Sequence, residues 1–205
     1  MKCLVVVAHP DDETIWAGGT ILRHADWDWS VLALSRREDL DRAPKFVRAV
    51  AELGARGWMS DLDDSPVLAA LSPDLREIKS RIRELPSPEY DLILTHGPAG
   101  EYTRHERHEQ VHRAVCEMTD AGELHGRVAY FAYLDCAGQC WPRPADDAQI
   151  RVDLSDAEYQ RKQRIIREIY GLADGSFEQS AAGPVEAFNL RDGDEASVPS
   201  IPWWI

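Results

Sequence analysis

The sequence predicts an α/β fold, a Rossmann-like three-layer sandwich with a mostly parallel sheet. Apolar runs of strand length alternate with helix-type patterns along its 205 residues, and this alternation is typical of a parallel sheet covered by helices on both faces. The first run, 2–8, is apolar and β-branched, as in a strand buried on both sides. The length suits a single domain, 1–205, with an irregular extension over 173–205.

The remaining elements follow from hydrophobic period and from glycine positions. In the first helix Gly18 and Gly19 lower helix propensity but allow close approach to another element. The second helix carries Gly54 near its end. The predicted strands are 2–8, 29–35, 55–60, 91–96, 128–134 and 150–155, and the predicted helices are 13–25, 42–57, 74–85, 104–118 and 156–172.

Composition argues against several classes of main partner. The net charge is −13, from 36 acidic and 23 basic residues, which argues against nucleic acid and anionic membranes as main partners. No apolar run approaches the roughly 18 residues of a membrane span, and the N-terminus lacks the features of a signal peptide. We therefore expect a cytoplasmic protein, in which the scattered cysteines, including Cys136 and Cys140, are reduced.

Two polar clusters follow buried strands. His9, Asp11 and Asp12 come directly after the first strand in the stretch AHPDDE. One aspartate alone is explained as a helix N-cap, but a second acid and a histidine beside it are not. Two carboxylates at a strand end also suit Mg²⁺, whereas the histidine favours a borderline metal such as Zn²⁺.

The second cluster follows the strand LILTH and has the sequence TRHERHEQVH. Thr103 and Glu106 predict a capping box at the helix start. The spacing of His105, His108 and His112 puts all three on one helix face. His112 lies a further turn along, and we expect it to stay outside a metal site.

Because the carboxyl ends of parallel strands share one edge of a sheet, we expect the two clusters to meet there. One histidine and one aspartate from the first cluster and one histidine from the second give three protein ligands. Three ligands with an open position are typical of catalytic zinc, which lowers the pKa of its water toward about 7. The aspartate that is not a ligand is then free to act as general base.

AHPDDE after a first strand, followed by a histidine-rich H-x-x-H stretch, resembles the LmbE/PIG-L family of zinc-dependent N-deacetylases. The resemblance implies that His9, Asp12 and His108 bind zinc and that Asp11 is the general base. It also implies that His105 stabilises the oxyanion or protonates the leaving amine.

The chain departs from the family pattern at two places. HERH replaces the usual HPDH here, so Arg107 occupies the position of an acid that supports the first histidine. We expect Arg107 to point into solvent, and His105 to find an acid elsewhere, on the segment 135–147. SRREDLD stands where the family often has a sugar-contacting Thr-x-Gly-Glu stretch, so Arg36 either faces substrate or pairs with nearby acids in solvent.

The resemblance implies further substrate contacts at Arg48 and Asp64, which are otherwise a surface charge and a turn residue. The expected activity is removal of an acetyl group from an amino sugar or a sugar conjugate. The alternatives are an amidase acting on a non-sugar or thiol-conjugate amide, and a sugar-binding protein without turnover. The C-terminal IPWWI either packs on its own domain or forms a contact in a homo-oligomer.

Overall fold

A seven-stranded sheet forms the centre of the protein in a computed structural model, which describes residues 1–63, 75–134, 136–137 and 139–191. The strand order is β3-β2-β1-β4-β5-β7-β6. The first five strands pair in parallel, and β7 pairs antiparallel with both β5 and β6. The predicted α/β fold with a mostly parallel sheet is therefore confirmed.

The elements alternate along the chain much as the hydrophobic pattern predicts. The strands are β1 Lys2–Val7, β2 Asp28–Ala33, β3 Arg56–Met59, β4 Glu89–Thr95, β5 His125–Phe131, β6 Ile150–Asp153 and β7 Val185–Leu190. The helices are α1 Asp12–Arg23, α2 Arg42–Leu53, α3 Arg76–Arg83, α4 Glu106–Asp120, α5 Asp156–Arg164 and α6 Phe177–Ala181, and a π-helical turn at Ile165–Ile169 follows α5.

Two apolar cores lie on the two faces of the sheet. One contains buried side chains from α1, α2 and the π-helical turn, such as Trp16, Phe46 and Ile166. The other is built around α3 and α4, with Ile78 and Val111 among its buried members. None of the helices in the described ranges is long and apolar enough to cross a membrane.

The strand order reverses between β1 and β4. From β1 the chain moves outward through β2 and β3, then returns to place β4 on the other side of β1. Such a reversal opens a crevice outside the carboxyl ends of the two strands, where ligands bind in doubly wound folds. His9 and His96 follow β1 and β4 at this crevice, so the two polar clusters meet as predicted.

Three predicted elements were wrong in detail. The extension from 173 is not irregular throughout, because it contains α6 and β7, and β7 lies between β5 and β6. The helix predicted over 156–172 changes to π geometry after Arg164. The Thr103–Glu106 capping box does not form: His105, in an extended conformation, is the N-cap of α4, so the helix begins two residues later than a Thr103 cap requires.

Candidate metal centre and pocket

A pocket of about 340 Å³ opens at the crevice outside β1 and β4. His9, Asp11, Asp12, His105 and His108 all contribute to its wall. Every residue predicted from the sequence to act in catalysis or metal binding therefore borders one cavity. Aromatic side chains and two arginines complete much of the lining: Trp16, Tyr102, Phe177, Arg36 and Arg42.

Three potential ligand atoms converge at the floor of the pocket. Asp12 Oδ2 lies 3.2 Å from His9 Nδ1 and 3.5 Å from His108 Nε2. The two imidazole nitrogens are 3.3 Å apart. The three atoms thus form a nearly equilateral triangle of groups that all carry lone pairs.

Asp12 is held in place by further donors. The backbone amide of His9 donates to Asp12 Oδ2 at 2.9 Å, and the Trp16 indole donates to Oδ1 at 3.2 Å. Burial raises the pKa of Asp12, but the imidazoles of His108, His9 and His96 outweigh burial and hold this pKa well below its usual value. Asp12 is therefore a carboxylate at neutral pH.

Asp11 points in a different direction from Asp12. Its carboxylate accepts a hydrogen bond from Arg42 Nη1 at 2.7 Å. Burial raises the pKa of Asp11 well above its usual value, and the charges of Asp12 and Glu13 add to this effect while Arg42 opposes it. A carboxylate with a raised pKa is better suited to accept a proton than an ordinary surface aspartate. Arg42 was not identified from the sequence.

Glu13 supports the backbone that carries Asp11. Glu13 Oε2 accepts a hydrogen bond from the Asp11 amide at 3.0 Å. Its other oxygen accepts from the Thr14 hydroxyl at 2.6 Å and from the Tyr170 hydroxyl at 2.7 Å. Asp11 has φ 120°, a conformation that non-glycine residues rarely adopt, and these contacts stabilise it.

Sequence reasoning assigned no role in the site to two buried residues, His96 and Glu101. Glu101 Oε1 lies 2.8 Å from His96 Nδ1 and accepts from the Gly97 amide, while Oε2 lies 2.5 Å from His108 Nδ1. The signal for His96 was its position directly after the buried strand LILT. Nothing in the sequence around Glu101 distinguishes it from an ordinary loop acid.

Two influences oppose each other at His96. Burial lowers its pKa, but Glu101 and Asp12 outweigh burial and raise this pKa to about 9. The Ala8 amide, however, donates to His96 Nε2 at 2.9 Å, which requires a lone pair on that nitrogen. Since the amide hydrogen is fixed by the backbone, we assign His96 as neutral with its proton on Nδ1. His96 can be grouped with Asp12 and His108 as a possible metal cluster, but its Nε2 lone pair is already engaged.

His105 borders the pocket, and no carboxylate of the described residues forms a hydrogen bond or ion pair with it. Its ring packs against those of His108 and His9, with centroids 3.9 and 5.3 Å away. Partial loss of hydration lowers its pKa to about 4, and His108 and His9 add to the effect. No carboxylate in the described part of the segment 135–147 contacts His105, so that expectation is not supported; Asp135 lies outside the described residues.

Arg107 points away from the pocket but not into solvent, so that part of the prediction was wrong. Its side chain is buried. It donates from Nη1 to Gln110 Oε1 at 2.6 Å and from Nη2 to the Asp63 carbonyl. Arg107 is not one of the described residues that line the pocket. Position 107 thus serves the packing between α4 and the chain after β3.

The predicted substrate residues have different positions. Arg36 lines the pocket, and its Nη1 lies 3.5 Å from Asp39 Oδ2, so it pairs with a nearby acid at the edge of the cavity. Arg48 donates to the Ile169 carbonyl at 3.3 Å and is not part of the described lining. Asp64 and the C-terminal IPWWI lie outside the described residues. His112 also remains outside the lining, and its Nδ1 bonds the His96 carbonyl at 2.8 Å.

The cysteines differ from expectation. Cys136 and Cys140 form a disulfide, with Cα atoms 5.8 Å apart, within the usual range for such bonds. The sequence suggested two reduced thiols because no second pair accompanies them. The x3 spacing, with Ala137 in a left-handed conformation, allows a tight turn that joins the two sulfurs.

Comparison with protein families gives a match. The family described as GlcNAc-PI de-N-acetylase, PIG-L, matches residues 4–119, more than half of the chain. The chain belongs to the PIG-L family. The match includes both the AHPDDE stretch and HERH, which confirms the resemblance noted in the sequence. No relative was found among curated protein sequences.

Solved structures of similar fold include several deacetylases. The N,N'-diacetylchitobiose deacetylase from Pyrococcus horikoshii has a TM-score of 0.68 at 17% identity and covers 98% of this chain and 87% of its own. The zinc-inhibited form of teicoplanin deacetylase Orf2 has a TM-score of 0.66 at 14% identity, over 94% of this chain and 100% of its own. The 4-carboxy-2-hydroxymuconate hydratase GalB from Pseudomonas putida KT2440 has a TM-score of 0.61 at 19% identity, over 93% and 95%. The fold therefore occurs with more than one chemistry.

Proposed function

We propose that this protein is a metal-dependent N-deacetylase that hydrolyses the acetamide of an amino sugar or a sugar conjugate. The observation that carries the proposal is the triangle of His9 Nδ1, Asp12 Oδ2 and His108 Nε2, with sides of 3.2, 3.3 and 3.5 Å. PIG-L membership supports the reaction class.

The three groups suit a zinc ion. Ligands about 2.0–2.1 Å from a tetrahedral centre lie roughly 3.3 Å from one another, close to the sides of this triangle. Two imidazole nitrogens and one carboxylate are typical ligands of catalytic zinc, with the fourth position left for water or substrate. When both nitrogens are unprotonated, the three lone pairs repel each other, and a shared cation removes that repulsion.

In the reaction, the bound metal supplies polarisation of the amide carbonyl and activation of the attacking water. Asp11 accepts the proton of that water, because its pKa is raised and its carboxylate borders the pocket. Arg42 holds the Asp11 carboxylate in one orientation. His105, neutral at pH 7, donates a hydrogen bond to the developing oxyanion. The proton that Asp11 accepted then passes to the amine as the C–N bond breaks.

The pocket suits a substrate with both polar and apolar faces. Tyr102 and Phe177 pack together at the wall, with ring centroids 4.5 Å apart. Aromatic surfaces of this kind pack against the apolar face of a sugar ring, while Arg36 offers donors to its hydroxyls. Arg48 and Asp64 remain proposed only from the family resemblance, and a cytoplasmic location remains an expectation.

The test measures acetate release from N-acetylated amino sugars and from simple N-acyl amides, with the metal content determined in parallel. Chelation should abolish the activity, and Zn²⁺, Co²⁺ and Mn²⁺ should be compared on re-addition. Asp11→Asn should keep the metal and lose about 10²–10⁴-fold in turnover, the usual contribution of a general base. His108→Ala should lose metal strongly.

His112→Ala is the matched control, because this histidine lies on the same helix but outside the pocket lining. It should keep both metal and activity. Sugar binding without acetate release would favour a binding protein over an enzyme, and preferred release from non-sugar amides would favour the amidase alternative. Near-normal turnover in Asp11→Asn would contradict the assignment of the general base.

A further inference from the structure

Glu101 is a buried acid at the centre of the histidine cluster, in the loop between β4 and α4. Only 2% of its surface is exposed. Its Oε1 lies 2.8 Å from His96 Nδ1 and accepts a hydrogen bond from the Gly97 amide at 3.2 Å. Its Oε2 lies 2.5 Å from His108 Nδ1. The His96 Nδ1 proton and the Gly97 amide both point at Oε1, which leaves Oε2 to accept from His108 Nδ1 when Glu101 is ionised.

This contact decides which nitrogen of His108 is free. A neutral imidazole carries one proton, so a proton held on Nδ1 by Glu101 leaves a lone pair on Nε2. His108 Nε2 is the atom that faces His9 Nδ1 at 3.3 Å and Asp12 Oδ2 at 3.5 Å. With the opposite tautomer, an N–H would occupy the triangle instead of a lone pair.

The same carboxylate also fixes His96. The Ala8 amide donates to His96 Nε2 at 2.9 Å, so the ring proton must lie on Nδ1, directed at Glu101. The rings of His96 and His108 stack at 3.7 Å between centroids. One acid therefore links the end of β1, the end of β4 and the first turn of α4.

We propose that Glu101 is the positioning residue that fixes His108 in the tautomer able to bind a metal. Arg107, at the position where HERH lacks an acid, is directed toward Gln110 and Asp63 instead. The importance of the tautomer for catalysis rests on the proposed function, whereas the tautomer itself does not.

Glu101→Gln separates this role from simple space filling. The amide has almost the shape of the carboxylate but offers one acceptor and one NH₂ donor. If the NH₂ faces His108, the proton of that ring moves to Nε2, inside the triangle. The reverse orientation is disfavoured, because the NH₂ would then face both the Gly97 amide and His96 Nδ1, which the Ala8 contact keeps protonated. The favoured orientation therefore leaves His108 in the wrong form.

The experiment uses the full-length chain, with histidine tautomers read from ¹⁵N chemical shifts before and after zinc loading, and with zinc affinity measured by chelator competition. Wild type should show His108 with a protonated Nδ1 and an unprotonated Nε2. Glu101→Gln should lower zinc affinity by about 10–100-fold, the usual effect of losing an outer partner of a metal ligand. Glu101→Asp, which keeps two acceptor oxygens, should recover part of that loss.

Glu109→Gln is the matched control. Glu109 lies on the first turn of α4 and pairs with Arg104 rather than with a histidine. It should leave tautomers and zinc affinity unchanged, and circular dichroism should show native folding in every variant. If Glu101→Gln does not fold, the wild-type spectrum still decides the matter, because a protonated Nε2 on His108 would overturn the proposal.

The two proposals fail in different ways. Unchanged zinc affinity and an unchanged His108 tautomer in Glu101→Gln, in a protein that releases acetate, would overturn the role of Glu101 alone. The expected tautomers and zinc affinities in a protein that releases no acetate from any substrate would overturn the deacetylase function and leave the role of Glu101 intact.

Discussion

Helix α1 lies so close to the residue after β6 that a single methyl group at Gly19 should disturb the contact. A Cβ placed on Gly19 would lie 2.3 and 2.4 Å from the two methyl carbons of Leu154 and 2.9 Å from its Cγ. Ordinary carbon–carbon contacts are about 3.5–4.0 Å. The methyl carbons of Leu154 would therefore have to move by about 1 Å or more, and its Cγ would have to move as well.

The cost of Gly19→Ala follows from two opposing terms. Overpacking of this kind destabilises by about 1–3 kcal/mol, whereas alanine gains about 1 kcal/mol over glycine in a helix. The net change in the free energy of unfolding should be a loss of up to about 2 kcal/mol. For a chain of this length each kcal/mol lowers Tm by about 2–4 °C, so Tm should fall by up to about 8 °C.

Gly18→Ala is the matched control for this prediction. Its Cβ would lie 3.3 Å from Thr14 Cγ2 and 3.7 Å from Lys162 Cγ, so little must move. Gly18→Ala should raise Tm slightly, and the double variant Gly19→Ala/Leu154→Ala should be more stable than the two single changes predict by addition. Thermal unfolding followed by circular dichroism measures the Tm of Gly18→Ala, Gly19→Ala, Leu154→Ala and the double variant. A Tm for Gly19→Ala at or above that of Gly18→Ala would refute the close contact.

Three further predictions concern buried polar groups. Lys162→Met removes the cation that donates to Glu186 Oε1 at 2.7 Å, where both side chains are fully buried. It should cost about 3–5 kcal/mol in urea unfolding, because a buried charge loses its partner, and a change below 1 kcal/mol or so would contradict this. Tyr170→Phe removes a hydrogen bond to Glu13 and should cost about 1.5–3 kcal/mol without loss of bound metal; metal loss would mean that Tyr170 acts on the site. Burial raises the pKa of Cys3 to about 12, so native Cys3 should resist alkylation at pH 8. Partly exposed Cys116 should react in the same mass-spectrometric assay. Equal labelling rates would contradict the buried position of Cys3.

The sequence allowed the position of the site to be predicted because its strands have simple patterns. The runs before His9 and His96 are almost continuously apolar, as buried parallel strands require. Once both are strands of one parallel sheet, their polar ends must share an edge. His9, Asp12 and His108 come together for that reason, and local chemistry then predicts what they can bind.

The parts that could not be predicted depend on long-range contacts. β7 contains Glu186, a charge that argues against a buried strand until Lys162 and the Gly19 and Thr20 amides are placed around it. Glu101 likewise resembles an ordinary loop acid, because its role depends on the path of the loop from His96 to His105. Neither period nor spacing encodes such a path.

The three consecutive acids of AHPDDE can coexist because the backbone directs each to a different partner. Asp12 faces the imidazoles of His9 and His108, Asp11 faces Arg42, and Glu13 turns back to the Tyr170 hydroxyl. This separation requires the positive φ of Asp11, a strain of order 1–3 kcal/mol. The Glu13 bond to the Asp11 amide and the bonds from the Thr14 and Ile15 amides to the Asp11 carbonyl offset that strain. The strained residue therefore separates a candidate base from a candidate ligand one position away, and a relaxed helix start would bring the two carboxylates into competition for the same site.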